Sequence, residues 1–425
     1  MITRKQFIAF DLGSSKISAM AAEMLENGEL KILSAESKAS DDVKWGIVEQ
    51  HTGAAFKVSE LLRYLQNSAK IPDISMVSVS VGAKSMKLKS DSVSRFVGKP
   101  NIITEKLLID MAHECERKIQ NGNLEIFDTI PVSYFVDGKR MDSPEGKTAS
   151  QIIGNYHIII GSSNIKSQRD RCFEKTGLVV EHTPLAVEAL STVLLEEQER
   201  EVGCALINLG ATTTTLAVYH DGALQHLLVV PLGAKNITKD IEELGVSEAH
   251  AERLKCLKGV ALQSLVKNPM YVQIPSIHDE TPAVKISTDF LATIIEARLE
   301  EILQPIFDAI DALPYSLDAG IVISGGGSKM NHLIDFIAEK TGIYARFGNH
   351  SDWLSHDTPE KFLDPIYAQL IGTILLTDEY RQQHPIEETI VDPVKGPKIP
   401  TKGRGFGEKI TNRFLDFFGD ENKLN

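Results

Sequence analysis

Two short stretches carry residues whose types and spacing suit phosphate chemistry. The first is Phe7-Ile-Ala-Phe-Asp-Leu-Gly-Ser-Ser-Lys-Ile-Ser-Ala-Met20, and the second, about two hundred residues later, is Cys204-Ala-Leu-Ile-Asn-Leu-Gly-Ala-Thr-Thr-Thr-Thr-Leu-Ala-Val-Tyr219. In each, an apolar run fit for a buried strand leads to an acid or amide, a glycine and small hydroxyl residues, and then to a second strand-like run. That is the pattern of a β-hairpin with a polar turn. Gly13 and Gly210 are expected to take positive φ and to let backbone N–H groups close on a ligand. Ser14, Ser15, Thr212 and Thr213 add hydroxyl donors, Lys16 adds a positive charge, and Asp11 can hold a hydrated Mg²⁺. One such turn is equally an ordinary hairpin. Two, each opening a strand-rich region, predict a duplicated domain with a nucleotide's phosphates clamped between the halves.

A third element is Ala319-Gly-Ile-Val-Ile-Ser-Gly-Gly-Gly327, a strand ending in the triplet Gly325, Gly326 and Gly327, with Ser328 expected to cap a helix running to Lys340. Backbone without side chains can lie against a base or sugar, and a helix start favours negative charge. A tight turn is the alternative. Glu252 and Lys255 lie three apart on one helical face, where the carboxylate can accept ribose hydroxyls while the lysine stem packs on adenine. The alternative is a surface ion pair.

The elements that must position these residues follow from periodicity. Strands are expected at Leu30 to Ser37 and Ile74 to Val81, and helices at Gly53 to Ser68, Gln168 to Thr176 and Leu185 to Gln198. In the second half Asn236 or Thr238 is expected to cap a helix reaching Leu244. Helices are expected at Glu248 to Val266, Thr288 to Ala312 with Pro305 as a kink, and Leu363 to Leu376. Between about Ser80 and Gly161 two strand-like runs around Lys84 to Val97, a helix from Thr104 to Ile119, a run through Ile126 to Val136 and a strand at Tyr156 to Ile160 suggest an inserted α+β subdomain, or a decorated loop of the first core. Small residues, Ala186 with Ala189 and Ala368 with Gly372, would let two helices cross closely, as packing or as a hinge.

These elements place a first lobe at 1–80, the insert at 81–161 and a return to the first lobe at 162–201. A second lobe follows at 202–345, with a small subdomain at 235–312, and the chain returns to the first lobe at 346–380. The 425 residues are 42% hydrophobic and 24% charged, ordinary for a soluble globular chain with more than one core. The net charge of −13 opposes nucleic-acid binding. The first strand begins almost at Met1, leaving no room for a signal peptide, and the scattered Cys115, Cys172, Cys204 and Cys256 suit a reducing compartment.

The tail departs from this composition. Residues 381–404 read as a polar linker, and 405–425 as an amphipathic tail in which Phe406, Ile410, Phe414, Phe417 and Phe418 share one helical face flanked by Lys409 and Arg413. From Lys395 to Arg413 six basic residues face one acid, Glu408, against the sign of the whole chain. Such a segment docks on its own protein or lies in an anionic membrane surface.

The order of phosphate hairpin, connecting helix, second hairpin, glycine triplet and connecting helix resembles that of the actin, Hsp70 and sugar-kinase superfamily. Within it the chain resembles the FtsA family of bacterial cell-division proteins. The resemblance rests on Val202-Gly-Cys-Ala-Leu-Ile-Asn-Leu-Gly-Ala-Thr-Thr-Thr-Thr-Leu-Ala-Val-Tyr-His-Asp-Gly-Ala-Leu224, Asn236-Ile-Thr-Lys-Asp-Ile241, Ala251-Glu-Arg-Leu-Lys255, Gly320-Ile-Val-Ile-Ser-Gly-Gly-Gly327 and the position of the insert. It implies an α/β, actin-like two-lobed ATPase fold holding ATP and Mg²⁺. The ligating residues it implies are Asp11, Gly13, Ser14, Ser15, Lys16, Asn208, Gly210, Ala211, Thr212, Thr213, Glu252, Lys255, Gly325, Gly326, Gly327 and Lys329, with Asp11 and Asn208 reaching the metal through water. It further implies self-assembly into a filament, membrane attachment through the tail at the cytoplasmic side of the division site, contact of later division proteins with the insert, and an FtsZ C-terminal peptide on the small subdomain. Arg298 and Glu301 are candidates for that last contact, or are solvated charges.

One departure stands out. FtsA-like sequences usually carry an aspartate where this chain has Asn208, and another acid at the position of Thr215, so hydrolysis is expected to be slow or absent. A pilus-assembly adaptor of the PilM type and a sugar-kinase-type phosphotransferase are the alternatives.

Overall fold

The computed structural model describes residues 5–119, 122–276 and 283–384, with the side chains of 97–100 outside that description. One compact unit comprises Met1–Met86 with Asn164–Thr377; a second is built on Lys87–Ser163.

In the first unit Gln6–Leu12 and Lys16–Met24 form an antiparallel pair with Asp11 opposite Ser18 and Leu12 opposite Ile17. Leu30–Ala39 extends it on one side, while Met76–Val79 and Val179–His182 add in parallel on the other. Phe7 to Phe10 are all buried, as expected of a strand covered on both faces. The second sheet repeats this connectivity strand for strand. Cys204–Leu209 and Thr214–His220 pair antiparallel, with Asn208 opposite Thr215. Ala223–Val230 lies outside them, and Ile321–Ser324 and Ala345–Phe347 add in parallel. Each sheet thus places its hairpin turn at the same end of its central strand.

Each sheet has its own core. His51–Ser68 buries Ala54, Ala55, Val58, Leu61 and Leu65 against the first sheet, a stripe at helical spacing. Thr288–Asp311 runs through Pro305 and buries Leu291, Ile295, Leu299, Ile302, Ile306 and Ile310 in the core of the second. The helices Ala186–Leu194 and Ala368–Gln383 meet at backbone distance. A Cβ on Gly372 would lie 1.8 Å from the Ala189 carbonyl oxygen and 2.8 Å from its Cα.

The second unit is a four-stranded sheet in the order Lys87–Ile102, Thr148–Ser162, Leu124–Val136, Lys139–Met141. The helix Glu105–Ile119 buries Leu108, Met111, Ala112 and Cys115 in its core, where Tyr134 and Tyr156 pack edge to face.

Several boundaries differ from the sequence expectation. The two runs expected at Lys84 to Val97 are one long strand, and the strand expected at Tyr156 to Ile160 begins at Thr148, because each carries polar residues on one face of a half-exposed sheet. The Leu185 to Gln198 segment is two helices, Ala186–Leu194 and Glu197–Val202, broken where Leu195 and Glu196 are extended. The helix expected to reach Val266 ends at Lys258, where Gly259 is extended and its amide bonds Lys255 O. The helix expected from Leu363 begins at Ala368, after two 3-10 turns, and continues to Gln383. Asn236 and Thr238 are not caps: the helix is Ala234–Glu242, and Asn236, in its first turn, accepts the Gly233 N–H at 3.0 Å. Ser328 does not cap a helix either. It lies in a 3-10 turn and its hydroxyl donates to the Gly325 carbonyl at 2.7 Å, while the helix starts at Leu333 after a left-handed His332.

Replacing Gly372 by valine forces side-chain atoms into the Ala189 backbone and is expected to cost about 3 kcal/mol or more, seen as a large drop in Tm in thermal unfolding. Wild-type stability in this variant would show that the crossing relaxes freely.

Candidate functional site

The two hairpin turns and the glycine triplet line one cleft of about 970 Å³ between the two sheets, at the upper end of the roughly 300–1,000 Å³ typical of ligand pockets. At the first turn Asp11, next to last in its strand, lines the cleft. Its Oδ1 accepts the Gln369 Nε2–H at 2.9 Å, and the same amide reaches Ser80 Oγ at 3.0 Å. Burial raises its pKa to about 6, against the opposing pull of Lys16 and the Gln369 bond. Burial in turn lowers the pKa of Lys16, with Asp11 and Asp364 opposing. Gly13 is required, but not for positive φ as the sequence suggested. A Cβ there would lie 2.7 Å from the Lys16 carbonyl oxygen, so it is the tightness of the turn that excludes a side chain.

The second turn repeats this. The Gly210 N–H donates to the Thr213 carbonyl at 2.9 Å, and a Cβ on Gly210 would lie 2.8 Å from that oxygen, again without positive φ. The turn is braced from behind by the N-terminus of Ala234–Glu242: the Ala234 N–H bonds Gly210 O at 2.9 Å and the Lys235 N–H bonds Ala211 O at 2.8 Å. With its carbonyls held there, the turn is free to present N–H groups and the hydroxyls of Thr212 and Thr213 to the cleft. Gly233 makes the brace possible, since a Cβ on it would lie 2.6 Å from Gly210 O. From the first lobe, the Trp45 N–H donates to Thr212 Oγ1 at 3.3 Å.

The three glycines of 325–327 differ in what they exclude. Gly325, at φ 90°, is pressed on Asn208 and Leu209, and Gly327 on the Leu209 side chain, whereas a Cβ on Gly326 would meet nothing within 4 Å. Glu252 and Lys255 are a bonded pair rather than two free ligands. The Lys255 ammonium, 7% exposed, donates to Ala234 O at 3.1 Å, Thr238 Oγ1 at 2.8 Å and Glu252 Oε2 at 2.7 Å. Burial works to raise the Glu252 pKa, but the bonds from Lys255 and Thr238 hold it below the usual carboxylate range. Glu252 thus stays an anion at the cleft wall while Lys255 ties its helix to the one that braces the second turn. Lys329 also lines the cleft, with its ammonium on Asp364.

The model of the family "Cell division protein FtsA" matches residues 205–372, the stretch that carries the second turn, the Glu252 and Lys255 pair and the glycine triplet. The curated FtsA of Borreliella burgdorferi is 27% identical over 95% of this chain and 98% of its own length. The chain is similar to FtsA proteins over nearly its whole length. Among solved structures, the PilM–PilN type IV pilus biogenesis complex aligns with a TM-score of 0.63 over 88% of this chain and 99% of that one, at 15% identity. MreB5 of Spiroplasma citri bound to ADP aligns with a TM-score of 0.53 over 89% and 98%, at 12% identity. The fold is that of these actin-like proteins.

Asn208 and Thr215 face each other across the second hairpin, and both line the cleft. Arg298 and Glu301 lie outside it. Arg298 grips Asp240 through two bonds of 2.5 and 2.6 Å and also donates to Glu301, an arrangement that pins the long helix to Ala234–Glu242. Phe406, Lys409, Ile410, Arg413, Phe414, Phe417 and Phe418 lie outside the described residues. Gln369, Ser80, Gly233 and Trp45 carry no signal of this role in the sequence beyond the Leu-Gly just before the Ala234 helix, and Thr238, expected only as a cap, bonds Glu252 and Lys255 instead.

For a group with no side-chain cation bonded to it, Asp11 sets a pH dependence. Its folded pKa of about 6 exceeds the ordinary 3.8, so the folded state holds the proton more tightly. The resulting penalty is absent below pH 4, grows through pH 4–6 and is complete above. Asp11→Asn keeps the Gln369 bond and is expected to stabilise the ligand-free protein by about 1–2 kcal/mol at pH 7.5, with no gain at pH 4, in thermal unfolding across that range.

Proposed function

We propose that the protein is an ATP-binding, actin-like cell-division protein that polymerises and tethers the FtsZ ring to the cytoplasmic face of the cell membrane through its C-terminal segment. The observation that carries the nucleotide reading is the placement of two tight glycine turns, at equivalent positions of duplicated sheets, on one cleft. The phosphates lie between Gly13 to Lys16 and Gly210 to Thr213, the ribose beside Glu252, and the base along Gly325 to Gly327. ADP bound to MreB5, a neighbour in fold, is in keeping with this.

The residues present fit Mg²⁺. Among the described residues no group of three or more His, Cys, Asp or Glu could hold a metal by itself. A single enclosed carboxylate with a raised pKa, facing an amide, suits a hard cation that keeps most of its waters and takes its remaining ligands from phosphates. Bound there, the cation would neutralise phosphate charge and relieve the burial of Asp11. Asn208 brings no charge to orient or deprotonate a water, so turnover falls far below the roughly 1–10³ s⁻¹ of ordinary enzymes.

The membrane reading rests on the tail's sequence. Each basic residue contributes about 1 kcal/mol at an anionic surface and each partly buried Phe about 1–2 kcal/mol, before the cost of ordering a short helix. One copy therefore attaches reversibly, and a polymer multiplies the anchors into firm attachment. The FtsZ C-terminal peptide is received on 235–312, with Arg298 and Glu301 as candidates, and later division proteins on the insert.

Two variants separate these parts. Gly326→Val fills the open space of the triplet and is expected to weaken ATP binding at least tenfold in calorimetry while leaving Tm in place; undiminished binding would overturn the nucleotide site as drawn. Phe414→Glu is expected to abolish co-pelleting with anionic liposomes and to leave ATP affinity intact. Retained pelleting would remove the tail from the account.

A further inference from the structure

Ser324 is the last residue of the parallel strand beside the second hairpin. The residue is 1% exposed and lines the cleft, and its hydroxyl has no hydrogen-bond partner among the described residues. A buried hydroxyl left unpaired forfeits the hydrogen bonds it made in water, so its persistence at a cleft wall points to a partner that arrives with the ligand. Ser324 pairs in register with Asn208 on the neighbouring strand, which in turn pairs with Thr215. Register partners project to the same face of a sheet, so Thr215, Asn208 and Ser324 form a polar row across three strands facing the cleft.

The first lobe shows what such a row does when it is satisfied. There the equivalent positions are Asp11 and, one residue past the last assigned pair of Phe10 with Val79, Ser80. One amide, Gln369 Nε2, bonds both Asp11 Oδ1 and Ser80 Oγ. In the second lobe no group among the described residues bridges to Ser324, and Gly325, pressed against Asn208 at φ 90°, keeps side-chain bulk off the row.

We propose that Ser324 Oγ, together with Asn208, binds the phosphate end of the nucleotide, either directly at a phosphate oxygen or through a water carried by the divalent cation. This rests on the nucleotide reading above. The hydroxyl can accept from a water and donate to a phosphate oxygen, which a methyl group cannot.

The test compares wild type, Ser324→Ala and Ser324→Thr by calorimetry with ATP plus Mg²⁺, ATP plus EDTA and adenosine, together with the Tm of each ligand-free protein. Ser324→Ala is expected to bind ATP plus Mg²⁺ about five- to tenfold more weakly, the worth of one hydrogen bond, and to bind adenosine as wild type does. Its ligand-free Tm is expected to be equal or higher, because the unpaired hydroxyl is gone. Ser324→Thr is expected to restore the affinity. A loss with Mg²⁺ alone identifies a cation-borne water, and an equal loss in EDTA identifies the phosphate oxygen. Unchanged ATP affinity, an equal loss for adenosine, or a lowered ligand-free Tm would overturn the proposal while leaving the nucleotide site standing. Wild type that binds no nucleotide in any arm would overturn both.

Discussion

Between Gly372 and the backbone of Ala189 there is no room for a methyl group, and the arrangement of the cleft follows from that contact. Gln369 lies three residues before Gly372 on the same helix, so the two share a face. The position that seats Gly372 on Ala189 is therefore the one that delivers the Gln369 amide to Asp11 and Ser80. On the other helix Ala186 lies against Gly82, where a Cβ would come within 3.1 Å. Steric contact between small residues thus fixes where a polar group meets a buried charge.

The two lobes use one topology for different electrostatic tasks. In the first, a carboxylate is enclosed and bonded by protein, with the charge of Lys16 acting on it. In the second, the corresponding residue is the neutral Asn208, and rigidity comes instead from backbone: a helix N-terminus bonds the carbonyls of Gly210 and Ala211. The buried Lys255 ammonium reinforces that helix at Ala234 O and Thr238. The helix that carries Glu252 and Lys255 is thereby tied to the second turn through Ala234–Glu242 by charge-assisted bonds, roughly twice as strong as neutral ones.

The hairpins were legible because their chemistry is local: apolar alternation, a glycine and hydroxyls fall within some fourteen residues. The glycines at 13 and 210 were the right residues for a reason the sequence does not display, since crowding by the Lys16 and Thr213 carbonyls exists only once the turn has closed. Helix ends were misread where tertiary bonds override propensity: the Ala234 and Lys235 N–H groups bond Gly210 O and Ala211 O, so the helix starts at Ala234 and Asn236, which looks like a cap, serves from within the first turn. Gln369 and Ser80 carry no motif at all. They join Asp11 only through the packing of distant helices and strands, which no window along the chain contains. Lys255 was read as a ligand from its spacing to Glu252, but its burial and three protein acceptors are facts of the folded helix pair.

The bond from Gln369 to Asp11 spans 358 residues. A ribosome adding about 5–20 residues per second makes the amide roughly 20–70 seconds after the carboxylate. All five strands of the first sheet have been synthesised by His182, yet that sheet's floor stays open for most of translation. Ala189 likewise lacks its Gly372 contact until the partner helix emerges. The nascent first lobe is thus a half-finished object that only the far end of its own message completes, and a chain truncated before residue 369 would leave the lobe in that state.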